Sequence, residues 1–158
     1  MASTSLCSFC DVTIVNKQQI IENEYARVLL PLKPVTNTHI LITPKRHVTY
    51  ITELSSEEFI SIQGLLKTML DTFHDLFNTQ GYHIMNNNDP LADQRIPHVH
   101  FHVFYRSEND ISPFDILSKK APRQELTNED WYDLIKRIRA SAQTNSKSQN
   151  RLQGTYFV

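Results

Sequence analysis

Glycine is nearly missing from this 158-residue chain, which has only Gly64, Gly81 and Gly154. Neither G-x-G-x-x-G nor G-x-x-x-x-G-K-[ST] can be written with them, which excludes the dinucleotide fingerprint and the P-loop. Cysteine is scarcer still, with Cys7 and Cys10 alone. Two thiols build no disulfide framework, and their C-x-x-C spacing reads as half of a metal site or as a redox pair. No apolar run approaches the roughly 18 residues of a membrane span. Met1 to Cys10 has neither the basic nor the apolar part of a secretory signal. A cytoplasmic protein with no membrane partner is therefore expected. Excess charge of one sign is absent as well: 16 Lys+Arg against 17 Asp+Glu leave a net charge of −1. That balance argues against nucleic acid as a partner. A small nucleotide stays open, because a local pocket can be positive on a neutral protein.

What is present fits one globular domain, with 40% hydrophobic and 21% charged residues. Residues 1–140 read as the folded unit and 141–158 as a polar C-terminal tail rich in Ser, Asn and Gln. The tail ends in the apolar run Thr155-Tyr156-Phe157-Val158, which suggests either a docking end or a frayed terminus. Strands are expected at 19–23, 25–32, His39–Thr43, Tyr82–Asn86 and Pro97–Tyr105. Residues 12–15 fit a helical turn or a strand. Ser55-Ser56-Glu57-Glu58 is a capping box. The apolar residues after it repeat at helical spacing to about Gln80, with Gly81 as the expected stop. A second helix starts at Thr127, with Trp131, Leu134, Ile135 and Ile138 on one face.

The informative segment is Pro97-His98-Val99-His100-Phe101-His102-Val103-Phe104. Strand side chains alternate, so His98, His100 and His102 share a face at ~6.6–7 Å intervals while Val99, Phe101 and Val103 face the core. Three imidazoles in a row offer donors, acceptors and one candidate nucleophile near neutral pH. An anionic phosphate fits along such a row. A polar strand face or a metal-binding His-x-His pair would also produce the pattern.

The segment resembles the histidine triad (HIT) superfamily, whose motif is His-φ-His-φ-His-φ-φ with φ apolar. The resemblance covers roughly residues 5–110. It includes Cys7-Ser-Phe-Cys10, Pro34-Val-Thr-Asn-Thr-His39-Ile-Leu-Ile-Thr-Pro-Lys-Arg-His47, and Gln94 four residues before the triad. It implies an α+β fold, a five-stranded antiparallel sheet with two helices. It implies cleavage at the α-phosphate of nucleoside 5′-phosphoramidates or dinucleoside polyphosphates. His100 would be the nucleophile and form a nucleotidyl-histidine, His102 would contact the phosphate or leaving group, and His98 and His39 would support them. Asn87, eleven residues before His98, and Gln94 would bind substrate. Relatives that contain zinc complete the Cys7 and Cys10 pair with the residues matching His47 and His98, which implies a closed, structural zinc site. Many members are homodimers. A nucleotidyl transferase and a non-catalytic nucleotide-binding module are the alternative readings.

Three positions depart from the family pattern. Thr38 stands where glycine usually precedes His39, and Asp93 replaces the glycine of Ala-Gly-Gln. Asp tolerates positive φ better than most residues, so Asp93 can keep that turn. Pro31 occupies the usual position of the ribose-binding Asp or Asn, and proline offers neither a side-chain acceptor nor an N–H. Lys45, Arg46, Arg95 and Arg106 are candidates for making the pocket positive.

Overall fold

The computed structural model describes residues 7–123 and 125–153. The elements run α1 (Val12–Gln18), β1 (Gln19–Glu22), β2 (Ala26–Leu29), β3 (His39–Pro44), α2 (Ser56–Phe77), β4 (Gly81–Asn86), β5 (Phe101–Arg106), α3 (Pro113–Leu117) and α4 (Asn128–Gln153). The five strands form one sheet in the order β1-β2-β3-β5-β4, and every adjacent pair is antiparallel. The expected α+β class and five-stranded antiparallel sheet are observed, with two short helices, α1 and α3, beside the two long ones. No helix of the described residues is long and apolar enough to cross a membrane.

Alternation along the strands builds two faces. Val28, Ile40, Ile42, Phe101, Val103 and Tyr105 point one way, into the core completed by Ile62, Leu65, Met69 and Phe73 of α2 and Trp131, Leu134, Ile135 and Ile138 of α4. Each such large side chain contributes about 1.5–3 kcal/mol when fully buried. Leu29 and Leu41 point the other way and pack on Cys7, Phe9 and Val15 of the N-terminal segment. The histidines also lie on this second face.

The capping box closes α2 as expected. Ser55 Oγ accepts from the Glu58 amide (3.2 Å), and Glu58 Oε2 accepts from the Ser55 amide (2.8 Å). Arg46, just after β3, donates to both oxygens of the same Glu58 (2.8 Å each). The helix stops earlier than expected. Asn78 takes the left-handed conformation (φ 52°), and its amide bonds back to the His74 carbonyl, so Gly81 becomes the first residue of β4. Asn is among the few residues with a side chain that visit this region cheaply.

Of the two readings left open for residues 12–15, the helical one is observed, because Asp11 caps α1 by accepting from the Thr13 and Ile14 amides (2.8 and 3.2 Å). The reading of the C-terminal residues needs correction. Residues 141–153, expected as part of a polar tail, continue α4 instead. Ala142 is fully buried in the core, and Asn145 donates to Asp75 of α2 (3.1 Å). Packing on one small residue and a side-chain contact hold a stretch whose composition carries no apolar period. Residues 155–158 lie outside the described residues. Ala142→Leu should therefore cost about 1–3 kcal/mol by overpacking. Urea denaturation measures this, and an unchanged midpoint would mean the segment does not pack.

Candidate active site and metal centre

The strand into which the three histidines run begins later than expected, at Phe101. Pro97 to His100 lies outside the ladder because its backbone groups have other partners. The Val99 amide donates to the Val48 carbonyl (2.7 Å). The Val99 carbonyl accepts from Thr43 Oγ1 (2.7 Å), and the His100 carbonyl accepts from Asn86 Nδ2 (2.8 Å). Side-chain alternation continues through this segment all the same: Val99 stays in the core and the three histidines stay on the opposite face.

The hydrogen bonds fix each neutral ring's tautomer. His100 Nδ1–H donates to the His98 carbonyl (2.7 Å), which leaves Nε2 with its lone pair. The Val35 amide donates to His39 Nδ1 (3.1 Å), so the His39 proton sits on Nε2. That N–H donates to His102 Nδ1 (3.0 Å), which places the His102 proton on Nε2. Adjacent rings, 4.9 Å between centroids, thus carry a lone pair on His100 and an N–H on His102.

Burial keeps these rings neutral. It is the main cause lowering His102 to about 4, with His100 as a second cause. Burial likewise lowers His100, and it holds His39 well below the ordinary imidazole range, helped by His102, Arg123 and His100. Phe9, absent from the sequence-based candidates, sets its ring edge-on to His98 and His100 (centroids 5.8 and 5.2 Å) and excludes water from them. Its one signal in the sequence is its place between two cysteines.

Cys7, Cys10, His47 and His98 come together, with ligand atoms all within 4.8 Å of one another. His98 Nε2–H donates to the Pro44 carbonyl (3.0 Å), which turns Nδ1 toward Cys7 Sγ (3.4 Å) and Cys10 Sγ (3.6 Å). His47 Nδ1 lies 3.3 Å from Cys10 Sγ. Bonds of ~2.0–2.3 Å to one central ion would set tetrahedral ligands roughly 3.3–3.8 Å apart, so the donor set fits a Cys₂His₂ metal centre. Without an ion, burial and then the Cys7 thiol push the Cys10 thiol up to about 11. A cation would reverse that by binding the thiolate.

The remaining candidates divide. The β4–β5 register pairs Met85 with His102 and ends at Asn86 with Phe101, so Asn87 is the first residue beyond β4. Its side chain has no hydrogen-bond partner among the described residues. Gln94 is buried with both ends of its amide engaged, Nε2 to the Thr49 carbonyl (2.8 Å) and Oε1 to the Asp89 amide (2.9 Å). It braces the loop instead of offering a free amide. Asp93 keeps the turn, at φ 63°. Thr38 Oγ1 ties to the Tyr105 carbonyl (2.6 Å), and the Pro31 carbonyl accepts from Trp131 Nε1 (2.8 Å). Of the four cations considered for the pocket, three face carboxylates: Lys45 meets Glu22 (3.1 Å), Arg46 meets Glu58, and Arg106 meets Asp110.

Comparison with known proteins agrees with this geometry. The family model described as "HIT domain" matches residues 13–109. An uncharacterised HIT-like protein of Methanocaldococcus jannaschii is 32% identical over 108 residues, covering 66% of this chain and 82% of that one. The adenosine 5′-monophosphoramidase HNT1 of Candida albicans is 28% identical over 114 residues, covering 68% and 75%. The crystal structure of a Zn-bound histidine triad family protein from Mycobacterium smegmatis superposes with a TM-score of 0.70 at 23% identity, covering 92% and 99%. With a family match over residues 13–109, a five-stranded antiparallel sheet and a triad that runs into β5, the chain belongs to the HIT domain family.

Proposed function

We propose that this chain is a nucleotide hydrolase acting at the α-phosphate of a nucleoside 5′-phosphoramidate or dinucleoside polyphosphate. The observation that carries this reading is the pairing of the His100 Nε2 lone pair with the adjacent His102 Nε2–H. The similarity to an adenosine 5′-monophosphoramidase supports the same class of substrate.

In the first step, His100 Nε2 attacks the α-phosphorus. A P–N bond to the ring forms, and the bond from phosphorus to the leaving amine or phosphate breaks. His102 Nε2–H donates to the leaving group. The His98 carbonyl, bonded to His100 Nδ1–H, stabilises the positive charge that develops on the His100 ring. Asn87, directly after β4 and next to the Asn86 that holds the His100 carbonyl, supplies a neutral amide that can bind a phosphoryl oxygen without adding charge. Water then attacks phosphorus, the P–N bond to His100 breaks to release the nucleoside monophosphate and leave His100 neutral, and the proton given up by the water replaces the one that His102 passed to the leaving group. Gln94 acts from behind, by holding residues 89–94 against Thr49.

A binding module without turnover is the second reading. It is favoured by Pro31, whose carbonyl is taken by Trp131 and which leaves no acceptor for a ribose hydroxyl. Substituting the nucleophile separates the two. His100→Ala should lower kcat by roughly 10³-fold or more while nucleotide still binds. His102→Ala should lower it by ~10²–10⁴-fold. Chromatography of nucleoside monophosphate released from adenosine 5′-phosphoramidate and from diadenosine tri- and tetraphosphate reads both. Equal release by wild type and His100→Ala would end the proposal.

We also assign the Cys₂His₂ centre to zinc, held by Cys7, Cys10, His47 and His98. With four protein ligands it leaves no open position, so its contribution is to folding and to the orientation of His98. The free thiols suit the reducing cytoplasm expected from the sequence. Metal analysis should find one zinc per chain. A chelator should lower Tm by roughly 5 °C or more, at about 2–4 °C per kcal/mol for a chain of this size. Metal-free protein of unchanged Tm would refute the site.

The partner we propose is a second copy of this chain. β4 is an edge strand whose Tyr82 and Ile84 are 44% and 48% exposed. An apolar cavity of about 250 Å³ opens beside it, lined by Phe59, Ile62, Leu66, Ile84, Phe101 and Val103. An exposed apolar edge of this kind pairs readily with its own copy. Light scattering at micromolar concentration should give twice the chain mass, and Ile84→Glu should give monomer; monomeric wild type would overturn the assignment.

A further inference from the structure

The segment after α3 reaches back across the molecule to the loop that enters β3. Arg123 donates from Nε to the Pro34 carbonyl (3.1 Å) and from a terminal nitrogen to the Lys33 carbonyl. These contacts span 89 and 90 residues of sequence. Position 123 also lies outside residues 13–109, the part that matches the family. The next residue of the strapped loop is Val35, and its amide is the donor to His39 Nδ1. His39 in turn donates to His102. At its far end the loop is tied to β5 through Thr38, whose Oγ1 donates to the Tyr105 carbonyl (2.6 Å) and whose carbonyl accepts from the Tyr105 amide (3.3 Å), while Arg123 holds the end next to Val35.

We propose that Arg123 is a positioning residue, whose hold on the Lys33 and Pro34 carbonyls keeps the Val35 amide on His39 and thereby fixes which nitrogen of His102 carries the proton. An imidazole in water interconverts its two tautomers, and the hydrogen bond at one nitrogen decides what the other presents. If the Val35 amide leaves His39 Nδ1, the His39 proton can move to that nitrogen. His39 Nε2 then turns from donor to acceptor. His102 must answer with a proton on Nδ1, and its Nε2 faces the substrate as a lone pair. An acid would become a second base at the leaving group. Charge acts in the same direction. Burial comes first in holding His39 neutral, and the Arg123 guanidinium adds to it together with His102 and His100. A protonated His39 would lose the acceptor that Val35 requires.

The role of His102 as donor to the leaving group rests on the proposed hydrolysis, but the tautomer does not, so one experiment can separate them. Nitrogen-15 NMR of the histidine side chains reads the protonated nitrogen of each ring directly. Wild type should show His39 and His102 protonated at Nε2. In Arg123→Ala these two rings should lose their single pattern, whereas His98 and His100, anchored on the Pro44 and His98 carbonyls, should keep theirs. On the hydrolysed substrate kcat should fall about tenfold with little change in KM, a part of the ~10²–10⁴-fold that a positioned acid supplies. Arg123→Lys, which keeps the charge and one donor but loses the fork, should recover part of both effects. Unchanged His39 and His102 patterns in Arg123→Ala would overturn the proposal. So would an equal change in all four rings, which would signal general loosening, or altered rings with wild-type kcat. Were wild type itself to turn over no nucleotide, the hydrolase reading would fall and the ring patterns would still decide the role of Arg123.

Discussion

His98 is fully buried, and the rest of the site depends on how three of its polar groups, the two ring nitrogens and the carbonyl, are satisfied. One ring nitrogen donates to the Pro44 carbonyl at the end of β3. The other faces the two cysteine sulfurs. Its backbone carbonyl holds the proton of His100. A buried imidazole left unpaired would cost about 1–3 kcal/mol, so all three contacts constrain the same ring and peptide. The proposed nucleophile, His100, is therefore oriented by a residue that is itself oriented by the sheet on one side and the N-terminal Cys-x-x-Cys loop on the other. Phe9 belongs to that loop and covers both rings, so the element that completes the Cys₂His₂ cluster also keeps water from His100.

Strand alternation made much of this legible. The period of two in Val99, Phe101, Val103 and Tyr105 places them in the core, and the same period places the histidines opposite. The pairing of Cys7 and Cys10 with His47 and His98 came from the resemblance, and the fold brings those four together. What was not legible depends on partners distant in sequence. Gln94 looks like a free amide until Thr49 is seen to accept its N–H. Lys45, Arg46 and Arg106 look available until each meets its carboxylate. The end of α2 was misplaced by three residues of sequence because Asn78 could take the left-handed turn that was assigned to Gly81. The C-terminal half of α4 has no apolar period to read, because Ala142 is one small residue filling one gap in the core.

The electrostatics of the site follow from burial more than from charge. Most nearby cations are neutralised by carboxylates, and desolvation is the leading reason that His39, His98, His100 and His102 stay uncharged. Neutral rings are what the proposed chemistry requires. A lone pair on His100 is a nucleophile only while the ring is unprotonated, and His102 can be set as a donor by His39 only while both are neutral. Fixed tautomers, with dipoles oriented before substrate arrives, do the work that free cations would do in water.

The charge of the neighbouring centre has to be compatible with this. Two thiolates and two neutral imidazoles around a divalent cation carry no net charge, so a Cys₂His₂ ion adds rigidity at His98 without adding a field at His100. A site with more histidines would leave positive charge beside His100 and oppose the cation that the proposed attack forms on its ring. Without the ion the balance changes differently: the Cys10 thiol, raised to about 11, stays protonated, and His98 loses the partner that fixes its Nδ1 face. The carbonyl that holds the His100 proton then belongs to a peptide anchored on one side only. On this argument the metal centre and the triad are not two sites that happen to be adjacent. They share one residue, and the choice of two sulfur ligands keeps the shared residue both rigid and electrically silent.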